Sequence, residues 1–271
     1  MERRYIAEVR VTTPGLVCGV ELARRKVEVL DCEVLDAVRD GADATPESPI
    51  LTFTGSAKAV AMAEDCVPGA IAKPSGIARA ARKARDLAAG KVRVVSGAAK
   101  KMPSEVKDQV RKAVHCGGGS GRIANGPFLY LDKNYVRIFG SVRQTLAAVA
   151  SMTGHVRAIQ LRGLVEDIAT EAHTAIELGA EILMVDTGRL DDLDLVASIV
   201  RESGRRPFVT IAFAGDIELE DIPKIATHDV DILDIGRAVI DAPMVDIKFD
   251  IIAKRAAPRQ GACDPADASR K

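Results

Sequence analysis

The feature that most constrains the fold of this chain is a series of short, apolar, β-branched segments between residues 92 and 253. These segments alternate with alanine-rich helical patterns, in units of about 25–30 residues, and glycines such as Gly154, Gly179 and Gly204 follow several of the helices. Repeated strand–helix units predict a parallel sheet, and six in succession favour a barrel or partial barrel. A doubly wound open sheet has the same periodicity and stays an alternative. The predicted strands are 92–95, 128–131, 156–161, 181–185, 208–213 and 231–235.

Residues 1–91 have a different pattern, in which short strands precede helices, and we expect a separate α+β domain there. The barrel domain is expected over residues 92–253, and the polar segment 254–271 is predicted to be a disordered tail. In the first domain the predicted strands are 10–13, 27–30 and 50–53, and the predicted helices are 57–64 and 77–89.

Composition argues against several classes of function. The chain has 38 basic and 38 acidic residues, 3% aromatic residues and no tryptophan, so we expect no nucleic-acid partner. No apolar run approaches the roughly 18 residues of a membrane span, and no apolar stretch follows the charged N-terminus, so neither a membrane partner nor a signal peptide is expected. The five cysteines are irregularly spaced, which is typical of a reduced, cytoplasmic protein.

Polar and glycine residues follow each predicted barrel strand, where parallel α/β folds collect their functional groups. They supply several cations, a strand-terminal carboxylate and glycine turns whose N–H groups can face phosphate. This combination suits a phosphorylated, anionic substrate with a metal-bridged or polyhydroxyl part. The residues are Lys100, Lys101, Lys133, Gln160, Arg162, Asp186, Gly215, Asp216, Gly236 and Arg237.

Simpler structural explanations remain open for these residues. Lys100 and Lys101 could be a pair of solvent-exposed charges, and Asp186 could cap a helix. The glycines could serve merely to allow tight turns. The four histidines are scattered without ligand spacing, so we expect structural roles for them. The glycine-dense segment 116–121 is not a P-loop, because no Gly-Lys-Ser/Thr follows it.

The order of these motifs resembles that of the quinolinate phosphoribosyltransferase family, also called nicotinate-nucleotide diphosphorylase (carboxylating). Cys116-Gly117-Gly118-Gly119 lies between Lys100 and Pro103 on one side and Asn134 on the other, as the corresponding motifs do in that family. The similarity covers about residues 11–251 and includes the segments 19–23, 40–41, 55–59, 75–78 and 179–186.

The resemblance implies an N-terminal α/β sandwich domain and an incomplete parallel α/β barrel of the type II phosphoribosyltransferase kind, assembled as a homodimer or higher oligomer. It implies phosphoribosyl transfer from phosphoribosyl pyrophosphate (PRPP), with Mg²⁺ and no organic cofactor, to a small anionic acceptor. In the family that acceptor is quinolinate, and the product, formed with loss of carbon dioxide, enters pyridine nucleotide (NAD) biosynthesis.

The resemblance also assigns roles to individual residues. Lys100 matches the family's loop lysine and is expected at the pyrophosphate, and Asp186 matches the aspartate that faces ribose and metal. Gly215, Asp216, Gly236 and Arg237 are expected at the 5′-phosphate. Lys133 is expected to act on the acceptor as a catalytic residue, and Lys101, Arg122 and Gln160 are expected to bind it.

The acceptor side departs from the family pattern. Ala99 and Asp65 stand where the family has arginines, Gly121-Arg122-Ile123 replaces Asn-His-Arg, and Gln160 is the nearest match to a glutamate. Loss of two charge-assisted contacts is expected to cost more than about 4 kcal/mol, on the order of a thousandfold in affinity for a dicarboxylate. We therefore keep three hypotheses: a phosphoribosyltransferase acting on quinolinate or another acceptor, a non-catalytic phosphometabolite-binding protein, and a different barrel enzyme acting on a sugar phosphate.

Overall fold

The computed structural model describes residues 3–255, without the side chain of Arg255. Of the predicted tail, residues 256–271 lie outside the described residues, whereas 254 and 255 belong to the last strand. Single 3₁₀ turns occur at Gly97–Lys101, Ser104–Val106, Arg206–Phe208 and Leu219–Asp221. The other elements, in chain order, are β1 (Arg4–Val11), β2 (Gly15–Leu16), α1 (Val20–Val29), β3 (Glu33–Ala37), β4 (Asp43–Ala44), β5 (Leu51–Ser56), α2 (Ala57–Ala88), β6 (Arg93–Val95), α3 (Lys107–Cys116), β7 (Phe128–Leu131), α4 (Lys133–Phe139), α5 (Val142–Ala148), β8 (Val156–Leu161), α6 (Ile168–Glu177), β9 (Ile182–Asp186), α7 (Leu190–Glu202), β10 (Thr210–Ala214), α8 (Ile222–Ile225), β11 (Ile232–Asp234), α9 (Arg237–Ile240) and β12 (Ile247–Arg255).

The chain divides into two compact units whose boundaries differ from those predicted at residues 91 and 253. One unit contains the described residues up to Gly15, Gly19–Ala72 and the described residues from Val245 onward; the other contains Leu16–Cys18 and Lys73–Met244. The first cut falls inside helix α2, so no loop marks it. The second difference arises because β12 returns to pair with β1, a non-local contact that composition does not reveal.

The first unit contains an antiparallel sheet in the order β12-β1-β5-β3. Strand β1 buries alternate residues, Ala7, Val9 and Val11, as expected for a strand with one face on a core. The predicted strand at 27–30 was wrong, because Val20, Ala23 and Val27 have helical spacing and form the buried face of α1. The valines have strand propensity, but burial of one helical face decides the outcome.

Helix α2 is continuous over 32 residues, whereas the sequence predicted two helices separated near its prolines and glycines. The part after Lys73 belongs to the second unit, where Gly76 has a definite packing role. A Cβ atom at Gly76 would lie 2.0 Å from the carbonyl oxygen of Pro243, so only glycine allows that approach.

The second unit is the barrel. Its six parallel strands have the order β6-β11-β10-β9-β8-β7, and each lies within about two residues of its predicted position. Within the described residues β6 and β7 do not pair, so the barrel is incomplete, as the resemblance implied. Alternate strand residues form an interior cluster that contains Ile182, Met184 and Ala212 and is closed by Ile123 and Ala124. The intervening residues, such as Leu183 and Phe213, pack outward against the helices. No helix among the described residues is both long enough and apolar enough to cross a membrane.

Candidate active site

Two carboxylates stand at the carboxyl ends of neighbouring barrel strands. Asp186 ends β9, Asp234 ends β11, and Ala214 ends the strand between them, with its backbone in register with both. Register partners point to the same face of a sheet, and adjacent strands are about 4.8 Å apart. The Asp186 and Asp234 backbones are therefore about 10 Å apart, with Ala214 on the strand between them.

Asp186 is held by a network that includes Gln160. The Gln160 amide nitrogen donates to Asp186 Oδ2, and Gln160 Oε1 accepts a hydrogen bond from the backbone N–H of Lys133 at 2.7 Å. Arg162 Nη1 lies 3.1 Å from the same Asp186 oxygen. Burial raises the pKa of Asp186, and the charges of Arg162, Lys100 and Lys133 offset part of that increase. The structure thus brings together four of the residues predicted from the sequence, Lys133, Gln160, Arg162 and Asp186.

Asp234 is a site residue that the sequence reasoning missed. Its Oδ1 accepts a hydrogen bond from the backbone N–H of Gly97 at 2.8 Å. Burial raises the pKa of Asp234, with a further increase from Asp186 and an opposing effect of the Gly97 hydrogen bond and of Lys100. The signal was present, because Asp234 is an acidic residue in an apolar strand. It was overlooked because only residues beyond the predicted strand 231–235 were considered.

The two lysines follow β6 on the 3₁₀ turn Gly97–Lys101, which the Gly97–Asp234 hydrogen bond ties to the barrel. Both lysines are exposed, and the Lys100 ammonium lies 5.9 Å from the centre of the Tyr130 ring. The charge of Lys100 opposes the rise in pKa of both Asp186 and Asp234, so its ammonium group is near enough to act electrostatically on both carboxylates. Burial and the nearby carboxylates raise the pKa of Tyr130, which keeps its hydroxyl protonated.

The loop that carries Arg162 is anchored by Glu171, a second residue that the sequence did not single out. Glu171 is 2% exposed on helix α6, and its Oε2 accepts hydrogen bonds from the backbone N–H groups of Arg162 and Gly163 at 2.8 and 2.9 Å. Burial raises the pKa of Glu171, partly opposed by these backbone donors. Glu171 supports the position of Arg162 rather than facing the barrel mouth.

The two predicted phosphate glycines have different surroundings. Gly215 has a φ of +116°, and a Cβ atom there would lie 2.4 Å from the backbone nitrogen of Gly188, so it is required by the packing of two loops. A Cβ atom at Gly236 would meet nothing within 4 Å, so open space adjoins this residue two positions after Asp234. The neighbouring Arg237 is exposed and pairs with Glu218 at 3.3 Å.

Two predicted site residues are not brought into this group. The Arg122 guanidinium donates to the Gly126 carbonyl at 2.8 Å and lies 5.1 Å from the Phe128 ring centre, beside the first residue of β7 rather than its carboxyl end. Short-range loop contacts satisfy it there. The Asp216 side chain is an exposed carboxylate, which would repel phosphate, so only its backbone N–H suits the predicted role. Ala99 is 5% exposed in the core, so an arginine at that position would not fit without rearrangement.

A dedicated metal cage does not occur in the part of the chain that the structure describes, since no group of three or more His, Cys, Asp or Glu side chains is arranged to hold an ion. Mg²⁺ in phosphate-binding enzymes is commonly bound by one or two carboxylates together with substrate oxygens. Asp186 and the open mouth fit that arrangement. They do not fit a metal bound by protein ligands alone.

A parallel α/β barrel with cations and carboxylates at the carboxyl edge belongs to the class of barrels whose active sites form at that edge. The family model for the N-terminal domain of quinolinate phosphoribosyl transferase matches residues 1–75, and that for the C-terminal domain matches residues 77–250. The chain therefore belongs to the quinolinate phosphoribosyltransferase family, a family of pentosyltransferase enzymes.

Individual relatives agree with this assignment. The human nicotinate-nucleotide pyrophosphorylase (carboxylating) is 24% identical over 248 residues, which are 91% of this chain and 82% of the human protein. A probable enzyme of the same name from Archaeoglobus fulgidus is 25% identical over 240 residues, covering 88% of this chain and 91% of that protein. The crystal structure of NadC from Streptococcus pyogenes has a TM-score of 0.79 at 18% identity, covering 94% of this chain and 88% of that one, and it shows the shared fold.

Proposed function

We propose that this protein transfers the phosphoribosyl group of PRPP to quinolinate or to another small nitrogenous acceptor. The observation that carries the proposal is the juxtaposition of Lys100, Lys133 and Arg162 with the carboxylate of Asp186 at the barrel mouth. PRPP combines anionic phosphates with a polyhydroxyl ribose, so it needs cations for the one part and hydrogen-bond acceptors for the other.

In this mechanism the acceptor nitrogen forms a bond to the ribose carbon as the bond to pyrophosphate breaks. Lys100 stabilises the negative charge that develops on the leaving pyrophosphate, and Asp186 stabilises the oxocarbenium-like ribosyl centre and binds its hydroxyls. Mg²⁺, when bound with PRPP beside Asp186, neutralises phosphate charge. With quinolinate as acceptor, loss of carbon dioxide follows ribosylation.

The assignment of the remaining residues belongs to the same proposal. Gly236 and Arg237 hold the 5′-phosphate, supported by the open space at Gly236. Lys133 contacts the acceptor, with its backbone fixed by Gln160. A cytoplasmic location and a homodimer are also proposed, from the cysteine pattern and the family resemblance respectively, and light scattering of the purified protein tests the latter.

The test is a turnover assay with PRPP, Mg²⁺ and quinolinate that measures pyrophosphate and nicotinate mononucleotide. We expect product, and at least a tenfold lower kcat/KM for Lys100→Ala, because a charge-assisted contact is worth about 1.5–3 kcal/mol. The matched control is Lys112→Ala, an exposed lysine on helix α3. PRPP binding without quinolinate turnover indicates another acceptor or a non-catalytic role, and absence of PRPP binding contradicts the proposal.

A further inference from the structure

Asp186, the residue proposed to face ribose and metal, already has a cation on its carboxylate. Arg162 Nη1 lies 3.1 Å from Asp186 Oδ2, and the Gln160 amide donates a hydrogen bond to the same oxygen. The side chains of Arg162 and Asp186 are 34% and 22% exposed, so the ion pair is partly withdrawn from water. Partial burial preserves an attraction that solvent and salt would screen between two fully exposed charges.

The strands and the following loop hold this ion pair in place. Strands β8 and β9 are paired in parallel up to the residues just before Arg162 and Asp186, so these two residues lie side by side. Gln160 and Arg162 are two positions apart, a spacing at which side chains point to the same face of a strand. The backbone N–H of Arg162 donates to the buried Glu171 at 2.8 Å. The ion pair is therefore built into the strand ends.

This pairing opposes the binding of a divalent ion before PRPP is present. An ion at Asp186 Oδ2 would have to displace one of two N–H donors, and it would lie beside the positive charge of Arg162. Lys100 and Lys133 add to the repulsion, because both act electrostatically on the Asp186 carboxylate. Among residues 3–255 no group of three or more His, Cys, Asp or Glu side chains is arranged to hold an ion, so further protein ligands do not offset this repulsion.

PRPP changes this balance, because its phosphates attract the cations and supply oxygen ligands of their own. Mg²⁺ is commonly bound by one or two carboxylates together with such phosphate oxygens. Resting on the proposed binding of PRPP with Mg²⁺ beside Asp186, we infer that Arg162 is a positioning residue that serves as the resident cation of Asp186. It holds the carboxylate in place and excludes divalent ions until PRPP binds.

The first test measures Mn²⁺ binding without PRPP by electron paramagnetic resonance, with Mn²⁺ as the probe for Mg²⁺. The wild type should bind Mn²⁺ no more tightly than Asp186→Asn. Arg162→Gln keeps a hydrogen-bond donor but removes the charge, so it should bind Mn²⁺ about tenfold or more tightly than the wild type. The double variant Arg162→Gln/Asp186→Asn should lose this gain. Arg162→Lys keeps the charge and should behave as the wild type.

The matched control is Arg143→Gln. It removes an exposed arginine that pairs with the exposed Glu177 at 2.7 Å, and it should leave Mn²⁺ binding unchanged. Because this control also frees a carboxylate, it shows whether loss of an arginine–carboxylate pair elsewhere on the surface is sufficient. The melting temperature of each variant checks that it is folded.

The second test is calorimetric titration of PRPP into the same proteins, once with Mg²⁺ and once with EDTA in its place. The two titrations give the factor by which Mg²⁺ tightens PRPP binding. This factor should be about tenfold larger in Arg162→Gln than in the wild type, because the ion then supplies the positive charge that the variant lacks. Arg143→Gln should have the wild-type factor.

Equal Mn²⁺ affinities of the wild type and Arg162→Gln would overturn the inference. A gain that persists in the double variant, an Arg162→Lys protein that binds Mn²⁺ as Arg162→Gln does, or an unchanged Mg²⁺ factor in Arg162→Gln would also overturn it. If Mn²⁺ binds as expected but PRPP binds to none of the proteins, the proposed function fails while the exclusion of the ion by Arg162 stands. If PRPP binds to the wild type but Arg162→Gln gains no Mn²⁺ affinity, only the inference about Arg162 fails.

Discussion

The side-chain amide of Gln160 donates a hydrogen bond to Asp186, and its carbonyl oxygen accepts the backbone N–H of Lys133 at 2.7 Å. One neutral side chain, 7% exposed, thereby fixes both a carboxylate and the start of helix α4 at the barrel mouth. Because the amide has one donor end and one acceptor end, it can serve both partners at once, which neither a carboxylate nor an apolar side chain can do.

Gln160→Glu should therefore destabilise the protein in a pH-dependent way. The new carboxylate would face Asp186 without a hydrogen to donate unless the pair takes up a proton, so the shared pKa rises in the folded state. The stability that comes from the protonated pair is present at low pH and is lost as pH rises through the pKa of the pair in the folded state. We expect a loss of about 2–4 kcal/mol in the free energy of unfolding at pH 7.5 and a smaller loss at pH 5.

Urea unfolding followed by circular dichroism measures this difference. The matched control is Gln144→Glu, an exposed glutamine on helix α5, which should change stability by less than about 0.5 kcal/mol at either pH. Equal losses in the free energy of unfolding of Gln160→Glu at the two pH values would show that the loss does not arise from the contact between residue 160 and Asp186.

Asp186→Asn should separate stability from activity. Burial raises the folded-state pKa of Asp186, so the stability linked to its protonated form is lost as pH rises above the folded pKa. At pH 7.5 asparagine removes the cost of the buried charge, and the melting temperature should be equal to or above that of the wild type. Towards pH 4 any advantage should shrink, because wild-type Asp186 becomes protonated.

The same Asp186→Asn variant should lose at least a hundredfold in kcat/KM with PRPP, since the carboxylate at the ribosyl centre is gone. Calorimetric scans at pH 4, 5.5 and 7.5 together with the turnover assay provide the measurement. A variant with a much lower melting temperature at pH 7.5 and an unchanged kcat/KM would contradict this assignment, because Asp186 would then act in stability and not in turnover.

Glu171→Ala should destabilise the barrel unit by about 2–4 kcal/mol, because it leaves the backbone N–H groups of Arg162 and Gly163 without their acceptor. Glu171→Gln should retain most of the stability, because a single oxygen, Oε2, accepts both hydrogen bonds and an amide oxygen can replace it. Glu177→Ala, on the same helix but exposed and paired with the exposed Arg143, should cost less than about 1 kcal/mol. Urea unfolding ranks the three, and equal losses for Glu171→Ala and Glu177→Ala would contradict the anchoring role.

Two glycine substitutions should separate packing from ligand binding. Gly236→Ala adds a methyl group where no atom lies within 4 Å, so the melting temperature should be unchanged while PRPP affinity falls about tenfold or more. Gly215→Ala places a Cβ atom 2.4 Å from the Gly188 nitrogen at a φ of +116° and should lower stability by about 1–3 kcal/mol. Unchanged PRPP affinity in a folded Gly236→Ala variant would remove Gly236 from the phosphate site.

Features that depend on local sequence were predicted, whereas features that depend on contacts between residues distant in sequence were not. The barrel strands followed from local apolar periodicity, and the Lys133, Gln160, Arg162 and Asp186 cluster followed from the rule that polar groups collect beyond parallel strands. The pairing of β12 with β1 and the continuity of α2 depend on contacts distant in sequence, such as the approach of Pro243 to Gly76, which no local pattern contains.

The candidate site shows the same limit. Asp234 and Glu171 were missed because each lies within a segment predicted as strand or helix, whereas the rule that polar groups collect beyond parallel strands points only to residues after the strands. Arg122 was assigned to the acceptor by motif order, but its own loop supplies the carbonyl and aromatic ring that hold it. A long side chain such as that of Arg122 can reach several groups, and the folded structure decides which of them it contacts.

The most direct test of the account is calorimetric titration of PRPP with Mg²⁺ into the wild-type protein, Lys100→Ala and Lys112→Ala. We expect saturable binding to the wild type, unchanged binding to Lys112→Ala, and about 10- to 100-fold weaker binding to Lys100→Ala, because Lys100→Ala loses one charge-assisted contact. No PRPP binding to the folded wild-type protein, or equal affinities for all three proteins, would contradict it.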